Sequence, residues 1–196
     1  MPDCLTIARS ELILGGQKSG KSRRAEAIAS AWLAQSPQYH AVLIATGQAG
    51  DDEMRERIAR HRQDRAARVP ALLTIEEPLA LAEAMKKHGN AQTLVLVDCL
   101  TLWLTNYLFP SAGFESNRSP APSLSAQAAT TLIAIQNSIG PVVLVSNEIG
   151  LGVIPMGRPT REFVDTLGRL NQDVAQVCER VTFMAAGLPL FLKGWP

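Results

Sequence analysis

The chain has 196 residues, a length for one domain rather than two. Its 19 Lys and Arg against 18 Asp and Glu leave a net charge of +1, which does not supply the broad basic surface of a nucleic-acid-binding protein. Hydrophobic residues make up 46% of the chain, enough for a full core, yet no apolar run reaches the roughly 18 residues needed to cross a bilayer, and nothing before Gly15 reads as a signal peptide, so a cytoplasmic protein with no membrane span is expected.

An apolar run over 11–14 predicts the first strand, stopped by Gly15 and Gly16. Residues 19–35 read as a helix and 41–46 as a second, buried strand. Asp51 and Asp52 suit a helix N-terminus, so a charged helix is expected from there to about residue 63. A short strand over 72–75 follows, and Pro78 opens a helix to about residue 88. The strand 93–97 ends at Asp98, and an apolar helix covers 100–109. The segment 110–123, rich in Pro, Ser, Gly and Asn, reads as a mobile loop. A helix over 124–138, a strand over 141–145, a helix over 160–179 and a closing pair of strands, 181–185 and 190–192, complete the chain. Continuous apolar strands alternating with helices imply an α/β fold with a mainly parallel sheet and helices on both faces, in one domain over 1–196. Such sheets bind ligands at the carboxyl ends of their strands.

Gly15-Gly16-Gln17-Lys18-Ser19-Gly20-Lys21-Ser22 fits the phosphate-loop pattern, with a strand before it and a helix after it. Glycines let the backbone curl so that successive N–H groups face phosphate oxygens. Lys21 reaches the β- and γ-phosphates, the Ser22 hydroxyl suits magnesium, and the helix that follows turns its positive end to the anion. The fold is therefore expected to be a three-layer sandwich of the phosphate-loop NTPase kind. Asp98, at the end of an apolar strand, is the acid that holds magnesium beside such a loop, unless it only caps the next helix. Glu148 follows another apolar strand and is either a second acid of the site or a solvated loop residue.

Arg55, Arg57, Arg60, Arg62, Arg65 and Arg68 crowd one segment. They form either a solvated face paired with Asp51, Asp52, Glu53 and Glu56 or a patch that contacts nucleotide phosphates. Met54, Ile58, His61 and Arg65 share one helical face. Spacing alone favours an ordinary histidine at a helix edge for His61. The sharper reading is an imidazole nucleophile with arginines stabilising the charge. Cys4, Cys99 and Cys178 are an odd count without metal-ligand spacing and read as reduced thiols.

These residues resemble one family. Gly15 to Arg23 with Ala25-Glu26, Ile44-Ala45-Thr46, Arg57-Ile58 with His61, and Val97-Asp98-Cys99-Leu100 with Trp103 all match it. So do Ser146-Asn147-Glu148-Ile149-Gly150-Leu151-Gly152 with Pro155, then Arg161-Glu162-Phe163 and Gly168-Arg169-Leu170-Asn171-Gln172. The family is the bifunctional adenosylcobinamide kinase and adenosylcobinamide-phosphate guanylyltransferase.

The resemblance implies that ATP or GTP phosphorylates the aminopropanol hydroxyl of adenosylcobinamide, a corrinoid. GMP then passes from GTP to that phosphate through a GMP-histidine intermediate, for which the matching residue is His61. It implies nucleotide contacts at Gly15, Gly16, Gln17, Lys18, Ser19, Gly20, Lys21 and Ser22. Further contacts fall on Ala45, Thr46, Gly47, Arg62, Gln63, Asp64, Arg65, Glu76 and Asp98, with magnesium on Ser22 and Asp98. It also implies a homotrimer. The stretch after His61 departs from the family pattern, which leaves Arg65 and Arg68, and Glu76 and Glu77, as alternatives. Gly47 stands where family members carry Ser. A different class of reading is a phosphate-loop switch or partner-binding module with little turnover.

Overall fold

The computed structural model describes residues 5–50, 52–110, 123–153 and 155–195. In chain order the elements are β1 (Ser10–Gly15), α1 (Lys21–Leu33), β2 (His40–Ala45), α2 (Asp52–Arg68), β3 (Leu72–Glu76), α3 (Leu81–His88) and β4 (Thr93–Asp98). Then come α4 (Leu100–Leu108), α5 (Leu124–Gln136), β5 (Val142–Val145), α6 (Arg158–Val177), β6 (Arg180–Ala185) and β7 (Leu188–Lys193). The strands form one seven-stranded sheet in the order β3-β2-β4-β5-β1-β6-β7. All pairings are parallel except β6 with β7, which form an antiparallel hairpin at the sheet edge. The expected α/β architecture is therefore present.

Alternation along the strands builds two cores. Leu12, Leu14, Ile44, Val95, Val97, Val142 and Leu144 face one side, against α3, α4, α5 and α6. Ile13, Leu43, Leu94, Leu96, Val143 and Val145 face the other, against Ala25, Ile28, Ala29 and Trp32 of α1. Successive side chains of a strand point to opposite faces, so strands buried on both sides read as unbroken apolar runs.

Three boundaries differ from the sequence reading. Helix α2 runs on to Arg68 rather than stopping near residue 63. Its second half lacks apolar residues at helical spacing but is rich in helix-forming Arg, Gln and Ala. Pro78 does not open α3, which starts at Leu81. The Glu77 carboxylate instead accepts the N–H groups of Leu79 (3.0 Å) and Ala80 (2.8 Å) and shapes the turn before it. Helix α6 begins at Arg158, with a proline in its first turn. The loop expected over 110–123 lies largely outside the described residues.

Glu11 was counted in an apolar run, yet its carboxylate is buried near the start of β1, only 1% exposed. It accepts from Thr182 Oγ1 at 2.7 Å and Arg24 Nε at 3.1 Å, and Arg180 lies 3.4 Å away. Arg180 also donates to the carbonyl oxygens of Thr6 and Trp195, and the Phe191 ring stacks under both arginines. The cluster locks β1, β6, α1 and β7 together. Removing one member of a buried pair strands the other charge, at a cost of about 3–5 kcal/mol. Urea unfolding of Glu11→Ala should show a loss of that size, while Glu83→Ala, exposed on α3, should change stability by less than about 0.5 kcal/mol. A loss below about 1 kcal/mol for Glu11→Ala would contradict this account.

Candidate functional site

Strands β1, β2, β4 and β5 run parallel, so their carboxyl ends share one edge of the sheet. A cavity of about 580 Å³ opens there. Its floor is the β1–α1 loop, from Gln17 to Ser22. Ala45, Gly47, Asp98 and Asn147 line it from the ends of the other strands, and α2 forms the facing wall.

The loop is fixed by backbone geometry. Gly15 has φ +148°, and a Cβ there would lie 2.5 Å from the Met184 carbonyl oxygen of β6. Gly20 has φ +103°, and a Cβ would lie 3.2 Å from Gly187 Cα in the β6–β7 turn. Neither position accepts a side chain. The Gly187 N–H donates to Ser19 O (3.0 Å), and the Glu148 N–H donates to Gly15 O (3.1 Å). Lys21 opens α1, and its Nζ donates to Gly16 O at 2.6 Å. Burial pulls Lys21 below the ordinary lysine range, while Cys99 and Asp98 push it back up and Arg57 adds to the fall.

Asp98 is held in place by a buried neighbour. The Thr46 hydroxyl accepts the Cys99 N–H (2.9 Å) and donates to the Cys99 carbonyl (2.7 Å), and the Thr46 N–H donates to Asp98 O (3.2 Å). Thr46 is fully buried, behind the cavity rather than in its lining. Asn106 in turn donates to the carbonyl oxygens of Thr46 (2.8 Å) and Pro78 (3.0 Å). At the end of β5, the Asn147 N–H donates to Thr101 Oγ1 (2.9 Å) and its carbonyl accepts from Asn171 Nδ2 (3.0 Å).

Helix α2 lines the cavity with Met54, Ile58, His61 and Arg65, the face expected from spacing, and also with neighbours outside that face such as Arg57, Arg60, Arg62, Asp64 and Arg68. Only Arg65 of this helix is buried. Arg65 pairs with Glu26 of α1 (3.8 Å) and donates to Thr74 Oγ1 (3.3 Å), and Arg68 pairs with the same Glu26 at 2.7 Å. Burial raises Glu26, and the two arginines oppose that rise. Arg62 pairs with Glu76. Among the described residues Arg57 forms no ion pair, and it lies one helical turn before His61. His61 is exposed on α2, and partial desolvation at the cavity wall lowers it below the usual histidine value against the pull of Asp98, with Arg57 and Arg65 lowering it further and Asp64 opposing them. The lowering favours the neutral imidazole, which carries a free nitrogen lone pair.

The structure brings most of the expected residues together. Gln17, Lys18, Ser19, Gly20, Lys21, Ser22, Ala45, Gly47, His61, Arg62, Asp64, Arg65, Glu76 and Asp98 all line the cavity. Gly15, Gly16, Thr46 and Gln63 do not. The first two shape the loop backbone, and Gln63 is exposed on α2. Glu76 lines the cavity, whereas Glu77 is committed to the turn before α3; Arg65 and Arg68 both line it. Glu148 contributes its backbone to the loop and is outside the lining. Glu26 was matched only as part of a motif, because nothing in sequence shows that it anchors a helix some 40 residues away. Ser22 and Asp98 both line the cavity, and their side-chain oxygens are hard donors of the kind that magnesium prefers. Burial pushes the Cys99 thiol up to about 11 and Cys178 up to about 12, so both are neutral.

A family model described as cobinamide kinase / cobinamide phosphate guanyltransferase matches residues 11–192. A protein of Pseudomonas aeruginosa named bifunctional adenosylcobalamin biosynthesis protein CobP is 48% identical over 187 residues, covering 95% of this chain and 98% of its own. Bifunctional adenosylcobalamin biosynthesis protein CobU of Escherichia coli is 35% identical, covering 93% and 98%. Among solved structures, flagellar accessory protein FlaH of Methanocaldococcus jannaschii superposes with a TM-score of 0.54 at 13% identity, over 96% of this chain and 79% of that one. A Pyrococcus horikoshii protein gives 0.53 at 10% identity, over 98% and 90%. These two likenesses bear on the fold alone.

The electrostatics of α2 can be tested without any substrate. NMR titration should give His61 an apparent pKa below 6.5, and Arg57→Gln should move it upward by removing a nearby cation. A wild-type value at or above 6.5, or a downward move in the variant, would contradict the placement of these groups.

Proposed function

The chain belongs to the cobinamide kinase / cobinamide phosphate guanyltransferase family, and from that premise we propose that one cavity serves both reactions, with His61 as the carrier of GMP. The two activities are those of the family: phosphorylation of cobinamide, then guanylyl transfer to the product, in adenosylcobalamin biosynthesis. The observation that carries the single-cavity reading is that His61 and Lys21 line one space from opposite walls.

In the kinase step, the aminopropanol hydroxyl of the corrinoid attacks the γ-phosphorus of ATP or GTP, and the nucleoside diphosphate leaves. The loop N–H groups and Lys21 hold the β- and γ-phosphates as charge moves onto the leaving oxygen. In the guanylyl step, the free nitrogen of His61 attacks the α-phosphorus of GTP. The bond to pyrophosphate breaks, and a phosphoramidate forms. Lys21 and the loop steady the departing pyrophosphate, and Arg57 is free to take up charge on the α-phosphate oxygens. The phosphate oxygen of the second substrate then attacks the same phosphorus, giving the GDP-linked corrinoid and returning neutral His61. Magnesium, held by Ser22 and Asp98, would neutralise phosphate charge and align the leaving group.

The reading extends to a homotrimer working in the cytoplasm. Leu188, Leu190 and Leu192, exposed along the edge strand β7, support a covered face between subunits. Among the described residues no helix is long and apolar enough to cross a membrane.

Incubation with α-labelled GTP and no corrinoid should label the wild type in an acid-labile, base-stable linkage. His61→Ala should stay unlabelled, and Arg57→Gln should label about 10²–10³-fold more slowly. Equal labelling of His61→Ala would sink the histidine mechanism. The switch reading fails if corrinoid-dependent pyrophosphate release runs through many turnovers.

A further inference from the structure

The guanyltransferase cavity leaves a second cavity unexplained. It has a volume of about 560 Å³ and lies between the loop that follows β5 and one face of α6. Three features set it apart from an ordinary surface hollow.

The first is continuity. The loop that leaves β5 contributes Val145 and Asn147 to the nucleotide cavity and Ile149, Gly152 and Pro155 to the second one. Its Glu148 N–H is bonded to Gly15 of the phosphate loop. One chain segment therefore contributes to the lining of both spaces.

The second is an apolar rim. Leu151 is 76% exposed, Val153 97% and Met156 94%, on a segment held to α6 by Arg161 donating to the carbonyl oxygens of Pro155 and Met156. Such a run of apolar side chains in water marks a binding surface rather than scattered exposure.

The third is Gly168. It sits in the interior of α6, where glycine is disfavoured relative to alanine. A Cβ there would meet nothing within 4 Å, so no packing demand explains it. Gly168 lies in the stripe formed by Arg161, Asp165, Arg169 and Gln172, which lines the cavity. The missing side chain keeps that space open.

We propose that this cavity seats the corrinoid ring of the acceptor, with the ring's methyl-bearing edge against the apolar rim and its carboxamide arms on Asp165, Arg169 and Gln172. The aminopropanol arm then reaches over the shared loop, past Asn147, to the nucleotide. A flat macrocycle edged with methyl groups and neutral amides needs this mixture of apolar contact and two-way hydrogen bonding. The inference rests on the chain being a corrinoid-phosphorylating enzyme.

Gly168→Phe adds bulk at a cavity-lining position without a clash at its Cβ, and Gly168 does not line the nucleotide cavity. It should raise KM for adenosylcobinamide in the kinase step by at least about tenfold, the scale of blocking a good pocket contact. Self-labelling of His61 by α-labelled GTP, which needs no corrinoid, should stay at the wild-type rate. Arg169→Ala should also raise that KM and carries the test if the phenylalanine variant does not fold. An unchanged corrinoid KM in either folded variant, with a working wild type, overturns the inference alone. So does an unchanged KM accompanied by a change in oligomeric mass, which would make the cavity a contact between copies. A wild type that labels but never turns over corrinoid would sink the underlying function and this inference together.

Discussion

The site depends on one steric constraint: the phosphate loop turns where the backbone of β6 leaves no room for a Cβ. Gly15 lies against the Met184 carbonyl and Gly20 against Gly187. The same closeness lets neighbouring strands grip the loop, through Gly187 N–H on Ser19 O and Glu148 N–H on Gly15 O. Glycine thus does two things here. It permits the left-handed turns, and it admits the donors that hold the loop at the carboxyl edge. The ion cluster around Glu11 sits at the other end of β1 and ties that strand to its neighbours, so the loop projects from an anchored base.

Helix α2 is held differently. It has no apolar stripe, and only Arg65 is buried. Its position over the cavity rests on ion pairs to Glu26 and Glu76, which reach α1 and β3. A wall of charge rather than of apolar side chains suits a cavity that must surround a triphosphate. It also explains why burial near this wall depresses Lys21 and His61, whose protonated forms face neighbouring arginines. Lys21 on the floor and His61 on the wall share one electrostatic environment.

Much of this was legible in the sequence. Strands buried on both faces are apolar throughout, so β1 to β6 were located to within about a residue or two at their ends. The phosphate loop is a local pattern with a local geometry and could be read directly. What escaped were residues whose meaning lies in distant partners. Glu11 looked like one polar residue in an apolar run, because Arg24 and Arg180 meet it only in the folded sheet. Pro78 looked like a helix start, but the Glu77 side chain had already taken the amides of that turn. Thr46 carried the right motif position, yet its hydroxyl is spent on Cys99 and serves to aim Asp98. The end of α2 was misjudged because periodic burial, the usual signal, is missing from a helix fastened by charge.

The two reactions place different demands on one set of phosphates, and the layout meets them by dividing the walls. The β-phosphate belongs to the leaving group in both steps, so a single floor made of loop amides and Lys21 can serve both. Attack must come from different directions, since the kinase step strikes the γ-phosphorus and the guanylyl step the α-phosphorus. Under the proposed placement, an acceptor reaching over the β5 loop and His61 on α2 would meet the nucleotide from different sides, so neither would have to leave for the other to work. The order of chemistry then follows from substrate form alone. A hydroxyl that took GMP would give a phosphodiester, so only the phosphorylated corrinoid, attacking through its phosphate oxygen, gives the GDP-linked product.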